Sequence, residues 1–145
     1  MSITQLSVFV ENNPGALSRI TRLLADSKID IRAMSLAESH NFGVLRLIVN
    51  DHVAAGKVLE ANNIVFHFTE VVAASFPDEP GGLSRALELL AEEGIDIAYM
   101  YAFIAVSGHS AAVVLRVHGN VREAAAKKLS DGGIKVLTKD DIKVM

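Results

Sequence analysis

The sequence predicts an α+β fold made of two tandem βαββαβ modules with antiparallel sheets, spanning residues 1–69 and 70–145. Three observations carry that expectation: an internal repeat at an offset of 66, the same order of hydrophobic periods in each copy, and ample apolar material. Pro14-Gly15-Ala16-Leu17-Ser18-Arg19 returns as Pro80-Gly81-Gly82-Leu83-Ser84-Arg85, and Ile29-Asp30-Ile31 returns as Ile95-Asp96-Ile97. From Asn13 to Ile31, 11 of 19 positions are identical without a gap, so the chain is a duplication. Half of its 145 residues are apolar and 21% are charged, which excludes a disordered chain. A unit of about 70 residues builds a marginal core alone and usually needs a partner surface.

In the first copy Leu6 to Val10 alternates with polar residues and reads as a strand. Asn13 is the expected N-cap of the following helix, with Pro14 at the first helical position, where a missing N–H costs nothing. Leu17, Ile20 and Leu24 fall on one helical face, opposite Arg19, Arg22 and Asp26. Arg32 to Ser39 reads as a second strand, Asn41-Phe42-Gly43 as a hairpin turn, and Val44 to Val49 as a third strand. Asp51 can cap a short helix to about residue 60, and Ile64 to Phe68 closes the module.

The second copy repeats the order. Val71 to Phe76 is a strand, and the next helix turns Leu83, Leu87 and Leu90 inward. Ile97 to Val106 and Ala111 to Val117 are strands around a Ser107-Gly108-His109-Ser110 turn. Asn120 caps a helix to about Leu129, Asp131-Gly132-Gly133 stops it, and Ile134 to Thr138 is the last strand. Glu70 alone divides the two patterns. With right-handed crossovers this is the ferredoxin-like arrangement, helices on one face of each sheet. Val71-Val72-Ala73-Ala74 and Ala111-Ala112-Val113-Val114-Leu115 are apolar on both faces, so the open face is expected to be covered by another copy or chain, hence a homodimer.

The chemistry-bearing feature is the duplicated strand-to-helix turn, Glu11-Asn12-Asn13-Pro14-Gly15 and Pro77-Asp78-Glu79-Pro80-Gly81. A helix N-terminus offers unpaired N–H groups and the positive end of the macrodipole, which suits a carboxylate. Gly15 or Gly81 lets a ligand approach the backbone. Asn12 both donates and accepts, whereas Asp78 only accepts and would favour an ammonium. On the residues alone the plainer account, that Pro-Gly merely starts a helix, is favoured. Asp30 and Asp96, each at the start of the second strand, read either as solvated strand ends or as ligand-facing groups at the same edge as the turn.

The net charge of -3 argues against a nucleic-acid surface. Without cysteine there is no thiolate catalysis, and the five histidines lack metal-ligand spacing, so neither metal nor cofactor is expected. No phosphate loop or nucleophile elbow is present, and no enzyme is expected. The start lacks a leader pattern and the apolar run Ile97 to Val106 is too short to span a bilayer, so a soluble cytoplasmic protein is expected.

Around Glu11-Asn12-Asn13-Pro14-Gly15-Ala16-Leu17 the chain resembles an ACT domain, and Pro80-Gly81-Gly82-Leu83 through Asp96-Ile97 resembles another. Together they resemble stand-alone tandem ACT proteins, a family of amino-acid-binding regulatory modules. The resemblance implies effector binding at interfaces between modules. The implied ligand contacts are Asn12, Asn13, Pro14, Gly15, Ala16 and Leu17 with Asp30 and Ile31. In the second copy they are Asp78, Glu79, Pro80, Gly81, Gly82 and Leu83 with Asp96 and Ile97. Asp78 departs from the loop asparagine, and Asp30 and Asp96 stand where serine-binding relatives carry asparagine, so the two sites need not be equivalent. The second expectation is a regulatory subunit acting by contact on a separate enzyme of amino-acid metabolism. RNA binding, on the same βαββαβ order, is disfavoured because Val44-Leu45-Arg46-Leu47-Ile48-Val49 lacks stacking aromatics. An acylphosphatase-like enzyme of this fold would need a catalytic set that the sequence does not show.

Overall fold

The computed structural model describes residues 2–38, 41–104 and 109–145. Its elements are β1 (Ile3–Glu11), α1 (Ala16–Asp26), β2 (Ile31–Glu38), β3 (Phe42–Val49), α2 (His52–Ala61), β4 (Phe66–Pro77), α3 (Gly82–Glu92), β5 (Tyr99–Ala102), β6 (Ser110–Arg116), α4 (Arg122–Asp131), β7 (Lys135–Val136) and α5 (Lys139–Val144). The chain forms two compact units, Thr4–Thr69 and Glu70–Met145, the latter joined by the N-terminal residues through Ile3.

The first unit orders its strands β2-β3-β1-β4. Antiparallel register sets Leu6 opposite Leu47 and Val8 opposite Leu45 on β1 and β3, and Met34 opposite Leu47 and Leu36 opposite Leu45 on β2 and β3. One face of these strands packs with Ile20 and Leu24 of α1 and Ala55 and Leu59 of α2. Alternation along β1 sends the intervening residues to the other face. There Gln5 and Ser7 are buried, Gln5 Nε2 donating to Ser7 Oγ at 3.0 Å and Ser7 Oγ lying 3.1 Å from Thr69 Oγ1. Those bonds meet the cost of burying polar groups in a sheet face.

The second unit repeats the order as β7-β4-β6-β5. Val72 and Leu115, and Ala74 and Val113, pair across β4 and β6 and pack with Ala86, Leu89 and Leu90 of α3 and Ala125, Ala126 and Leu129 of α4. Both units are ferredoxin-like, with the last strand beside the first.

Several expectations are corrected. Ile64 to Phe68 and Val71 to Phe76 are not two strands parted at Glu70: β4 runs unbroken through twelve residues, because nothing in Thr69-Glu70 interrupts extended backbone. Phe42 and Gly43 open β3 rather than turning, and Ser110 opens β6. The rest of the Ser107-Gly108 turn and the Val106 end of its strand lie outside the described residues, and β5 begins only at Tyr99. Asn13 caps nothing, and Pro14 lies before the helix: α1 starts after Gly15 with no side-chain cap. Asn120 falls in a 3-10 turn ahead of α4. On α3, Leu83, Leu87 and Leu90 do face the core, the first two half-buried against it, and Ala86 and Leu89, which were not singled out, are buried with Leu90. Val71, Ala73, Ala112 and Val114 are buried within the single chain, so the apolar strands do not by themselves call for a second one. Asp51 does cap α2, accepting from Ala54 N–H at 3.0 Å.

Ile134 to Thr138 supplies only a two-residue strand, after which Thr138 caps α5. Asp141 answers it in a capping box, accepting from Thr138 N–H at 2.8 Å and Thr138 Oγ1 at 3.0 Å. The Thr138 backbone bond, then its hydroxyl, hold the Asp141 carboxyl below its ordinary range. A depressed carboxyl stabilises the fold above its unfolded-state value and loses that contribution as pH falls through the folded one. Asp141→Asn is therefore expected to destabilise at neutral pH, with the gap to the parent closing as pH drops below about 4. Urea unfolding at neutral and acid pH measures it, and a gap independent of pH would refute the assignment.

Candidate functional site

β1 ends at Glu11, and the chain reverses into α1 by a corner that its own bonds define. Asn13 N–H donates to Glu11 O at 2.9 Å, and Asn13 Nδ2 donates to the Glu11 carboxylate at 3.0 Å. Ala16 N–H reaches Asn13 O at 3.4 Å, and the first helical bond runs from Arg19 N–H to Gly15 O at 2.9 Å. Gly15 sits at φ 90°, ψ -10°, a left-handed conformation that costs a side chain about 1–2 kcal/mol. With no side chain capping it, the first turn of α1 presents its amides and its positive macrodipole end to whatever lies in front.

What lies in front is a cavity of about 550 Å³. Asn12 through Leu17 form one wall, and Leu36, Ala37 and Glu38 of β2 with Phe42 and Gly43 of β3 form the other. The positive dipole end of α1 and the exposed residues Glu11 and Glu38 thus border one cavity, to which Leu17, Leu36 and Phe42 add exposed apolar surface. A second cavity of about 470 Å³ opens on the other side of the same corner, lined by Arg19, Asn63, Ile64 and Phe9 among others. Arg19 is held there by a 3.3 Å bond to Asn62 O.

The second corner repeats the backbone closely. Gly81 sits at φ 91°, ψ -11°; Glu79 N–H donates to Pro77 O at 2.9 Å, Gly82 N–H to Glu79 O at 3.0 Å, and Arg85 N–H to Gly81 O at 2.9 Å. It differs in two ways. Asp78 N–H is taken up by His109 O at 2.8 Å, and Gly82 is buried where its counterpart Ala16 is half-exposed. A Cβ on Gly82 would run into Pro77 O and come within 3.1 Å of Phe76. The second corner is therefore drawn in against β4.

The residues singled out by sequence do not all meet. Asn12, Asn13, Pro14, Gly15, Ala16 and Leu17 line the first cavity together. Asp30 and Ile31 do not join them. Because β1 and β2 both run antiparallel to β3, the corner lies by Glu38, and Ile31 is seven residues back, roughly 23 Å at about 3.3 Å per residue. Asp30 instead pairs with Arg32 at 3.3 Å, and its N–H donates to Asn50 Oδ1 at 2.9 Å. Asp96 and Ile97 likewise precede β5, at the end away from Pro77. Both aspartates are thus at the opposite edge from the turn within their own unit. Sequence reasoning missed Glu38, Phe42 and Gly43, whose place depends on the β2–β3 register; Glu11, inside the motif, was legible.

A duplicated ferredoxin-like unit with an uncapped helix corner facing a cavity fits a regulatory, ligand-binding module. The chain belongs to the ACT domain pair family, whose model matches residues 1–142. Protein BT0572 from Bacteroides thetaiotaomicron is 34% identical, with a TM-score of 0.91, over 100% of this chain and 98% of that one. The regulatory subunit of aspartate kinase from Thermus thermophilus shares the fold at 15% identity and a TM-score of 0.63, over 89% and 91% of the two chains. Its counterpart from Thermus flavus does so at 16% and 0.58, over 90% and 92%. No curated protein matches the sequence. ACT domains are regulatory. Among the described residues no helix is long and apolar enough to cross a membrane.

Proposed function

We propose that the chain is a non-catalytic sensor that binds an amino acid at the first corner and works as a homodimer. The observation that carries this reading is the cavity in front of α1, where uncapped amides and the carboxylates of Glu11 and Glu38 face each other. An amino acid is a zwitterion and matches that pattern. Its carboxylate takes the first-turn amides, its ammonium the Glu11 and Glu38 side, and its side chain the Leu17, Leu36 and Phe42 surface. Asn12 is placed to bond either charged end. The second corner, with Asp78 engaged and Gly82 buried, is the weaker candidate.

Thermal-shift measurement against the twenty amino acids at millimolar concentration tests the reading. A ligand present at a hundred times its Kd stabilises by about 2.7 kcal/mol, well within range. At least one is expected to raise Tm, and Asn12→Ala and Glu38→Gln are expected to abolish the response. Silence from all twenty would end the proposal. The second reading is a subunit regulating a separate enzyme; in its favour, the chain spans most of the Thermus thermophilus regulatory subunit. Affinity capture that recovers only the chain itself would count against it.

A further inference from the structure

β1 outlasts its neighbour on one side. Phe9 N–H donates to Val65 O at 2.9 Å, β4 begins only at Phe66, and β1 runs on to Glu11. The notch beyond that bond is the second cavity of the first corner, about 470 Å³, within the range of roughly 300–1,000 Å³ that small-molecule sites occupy. Phe9, Ile20, Ile64 and Val65 give it an apolar wall, and Val65 leaves 66% of its surface in solvent. Two polar side chains on the lining have bonding capacity to spare. The Arg19 guanidinium offers a fork of N–H donors, yet among the described residues it makes only the long 3.3 Å bond to Asn62 O and no ion pair. Asn63 makes no side-chain hydrogen bond among the described residues and keeps both its donor and its acceptor.

The second unit shows that the fold does not require this lining. At the matching strand position Ser75 stands opposite Lys135, where the first unit sets Phe9 beside Val65. The matching helix ends close alike, Ile64 N–H on Leu59 O and Ile134 N–H on Leu129 O, and the left-handed residue before each is Asn63 at φ 58° and Gly133 at φ 85°. Glycine takes that conformation at least cost, so the first unit carries a side-chain amide where the turn itself needs none. Arg85 repeats Arg19. Both units thus keep the cation, and the first alone sets apolar residues beside it. Exposed apolar surface that the twin replaces with serine and lysine marks a contact surface.

We infer that this notch is a second ligand site, which takes a small apolar carboxylic acid without an amino group. The carboxylate lies on the Arg19 fork and the Asn63 amide, and the hydrocarbon body on Phe9, Ile64 and Val65. An amino acid would carry its ammonium against the same guanidinium, and Glu11, the one acid among the described lining residues, is tied to Asn13 Nδ2 at 3.0 Å. The site is separate from the one proposed above: Arg19 and Asn63 do not line the first cavity, and Asn12 and Glu38 do not line this one.

Amide chemical shifts of the full chain, titrated with 4-methylpentanoate and 3-phenylpropanoate, test it beside the neutral amides of both acids and beside leucine and phenylalanine. Both acids are expected to move Arg19, Asn63 and Val65 while Leu36 and Glu38 stay in place. The neutral amides, and the acids on an Arg19→Gln variant, are expected to bind about tenfold more weakly, for loss of a charge-assisted pair. Val65→Ser, at an exposed position, is expected to weaken both acids about threefold or more. Circular dichroism confirms that the variants are folded. Neither acid binding at millimolar concentration, shifts centred on Leu36 and Glu38, leucine or phenylalanine moving the notch residues as strongly as the acids, or Arg19→Gln binding like the parent would each overturn the inference. Shifts at Leu36 and Glu38 on adding amino acids report separately on the first cavity, so either proposal can fail without the other.

Discussion

Gly82→Ala is expected to lower stability by about 2–4 kcal/mol, although it adds a single methyl group to a helix terminus. The conformation is not the obstacle, since Gly82 is not among the positive-φ glycines. The obstacle is space: the new Cβ would meet Pro77 O, a backbone atom inside β4 that cannot rotate aside, and Phe76, which is itself in the core. Relief requires α3 to back away from the strand, loosening Ala86, Leu89 and Leu90 behind it. The repeat supplies its own control, because Ala16 already holds the matching place in the first unit with its side chain half-exposed. Gly15→Ala and Gly81→Ala are steric opposites, with open space around the new Cβ and only the left-handed φ against them, so each is expected to cost about 1–2 kcal/mol. Urea unfolding ranks the three. A Gly82→Ala variant within about 0.5 kcal/mol of the parent would show that α3 does not bear on β4 as described.

Leu24→Ala is expected to cost about 3 kcal/mol and Leu17→Ala less than about 1, though the two leucines share one helical row. Leu24 is fully buried among Leu6, Val8 and Leu59, so its truncation leaves a cavity that the sheet cannot fill. Leu17 lies in the first turn of α1, 37% exposed, on the rim of the cavity before the helix. The same pair separates stability from binding. Leu17→Ala is expected to leave the melting temperature nearly unchanged while weakening whichever amino acid the parent binds, and Leu24→Ala to do the reverse until α1 is lost. Equal costs for the two changes would mean that α1 is seated on its whole row, closing the rim to a ligand.

These contrasts show where reading the chain works. Leu17 and Leu24 are indistinguishable by period, because hydrophobic spacing reports the face of a helix and not how far the sheet beneath it extends. Leu17 instead lines the cavity before α1 with Leu36 and Phe42, a neighbourhood that helical spacing does not show. Asn13 reads as a cap by residue type, yet its side chain is spent on Glu11, and Gly15 takes the helix start because its φ is free. The Thr138-x-x-Asp141 box is visible in the sequence, yet the expected last strand ends at Thr138 and no element is read beyond it, where α5 forms.

Sequence by itself determined the duplication, the βαββαβ order of each unit, the corner at Pro14-Gly15 and Pro80-Gly81, and with them the ACT family. These are written in local periods, turn residues and a repeat, all carried by neighbours along the chain. Tertiary structure alone decided that Glu38 and Phe42 join the first corner, that Asp30 and Asp96 stand at the far end of their sheets, that Gly82 is buried at the second corner, and that β2 stands at the end of the strand order. Each of those depends on strand register and on packing between segments distant in sequence, where a shift of one residue exchanges the buried and exposed faces.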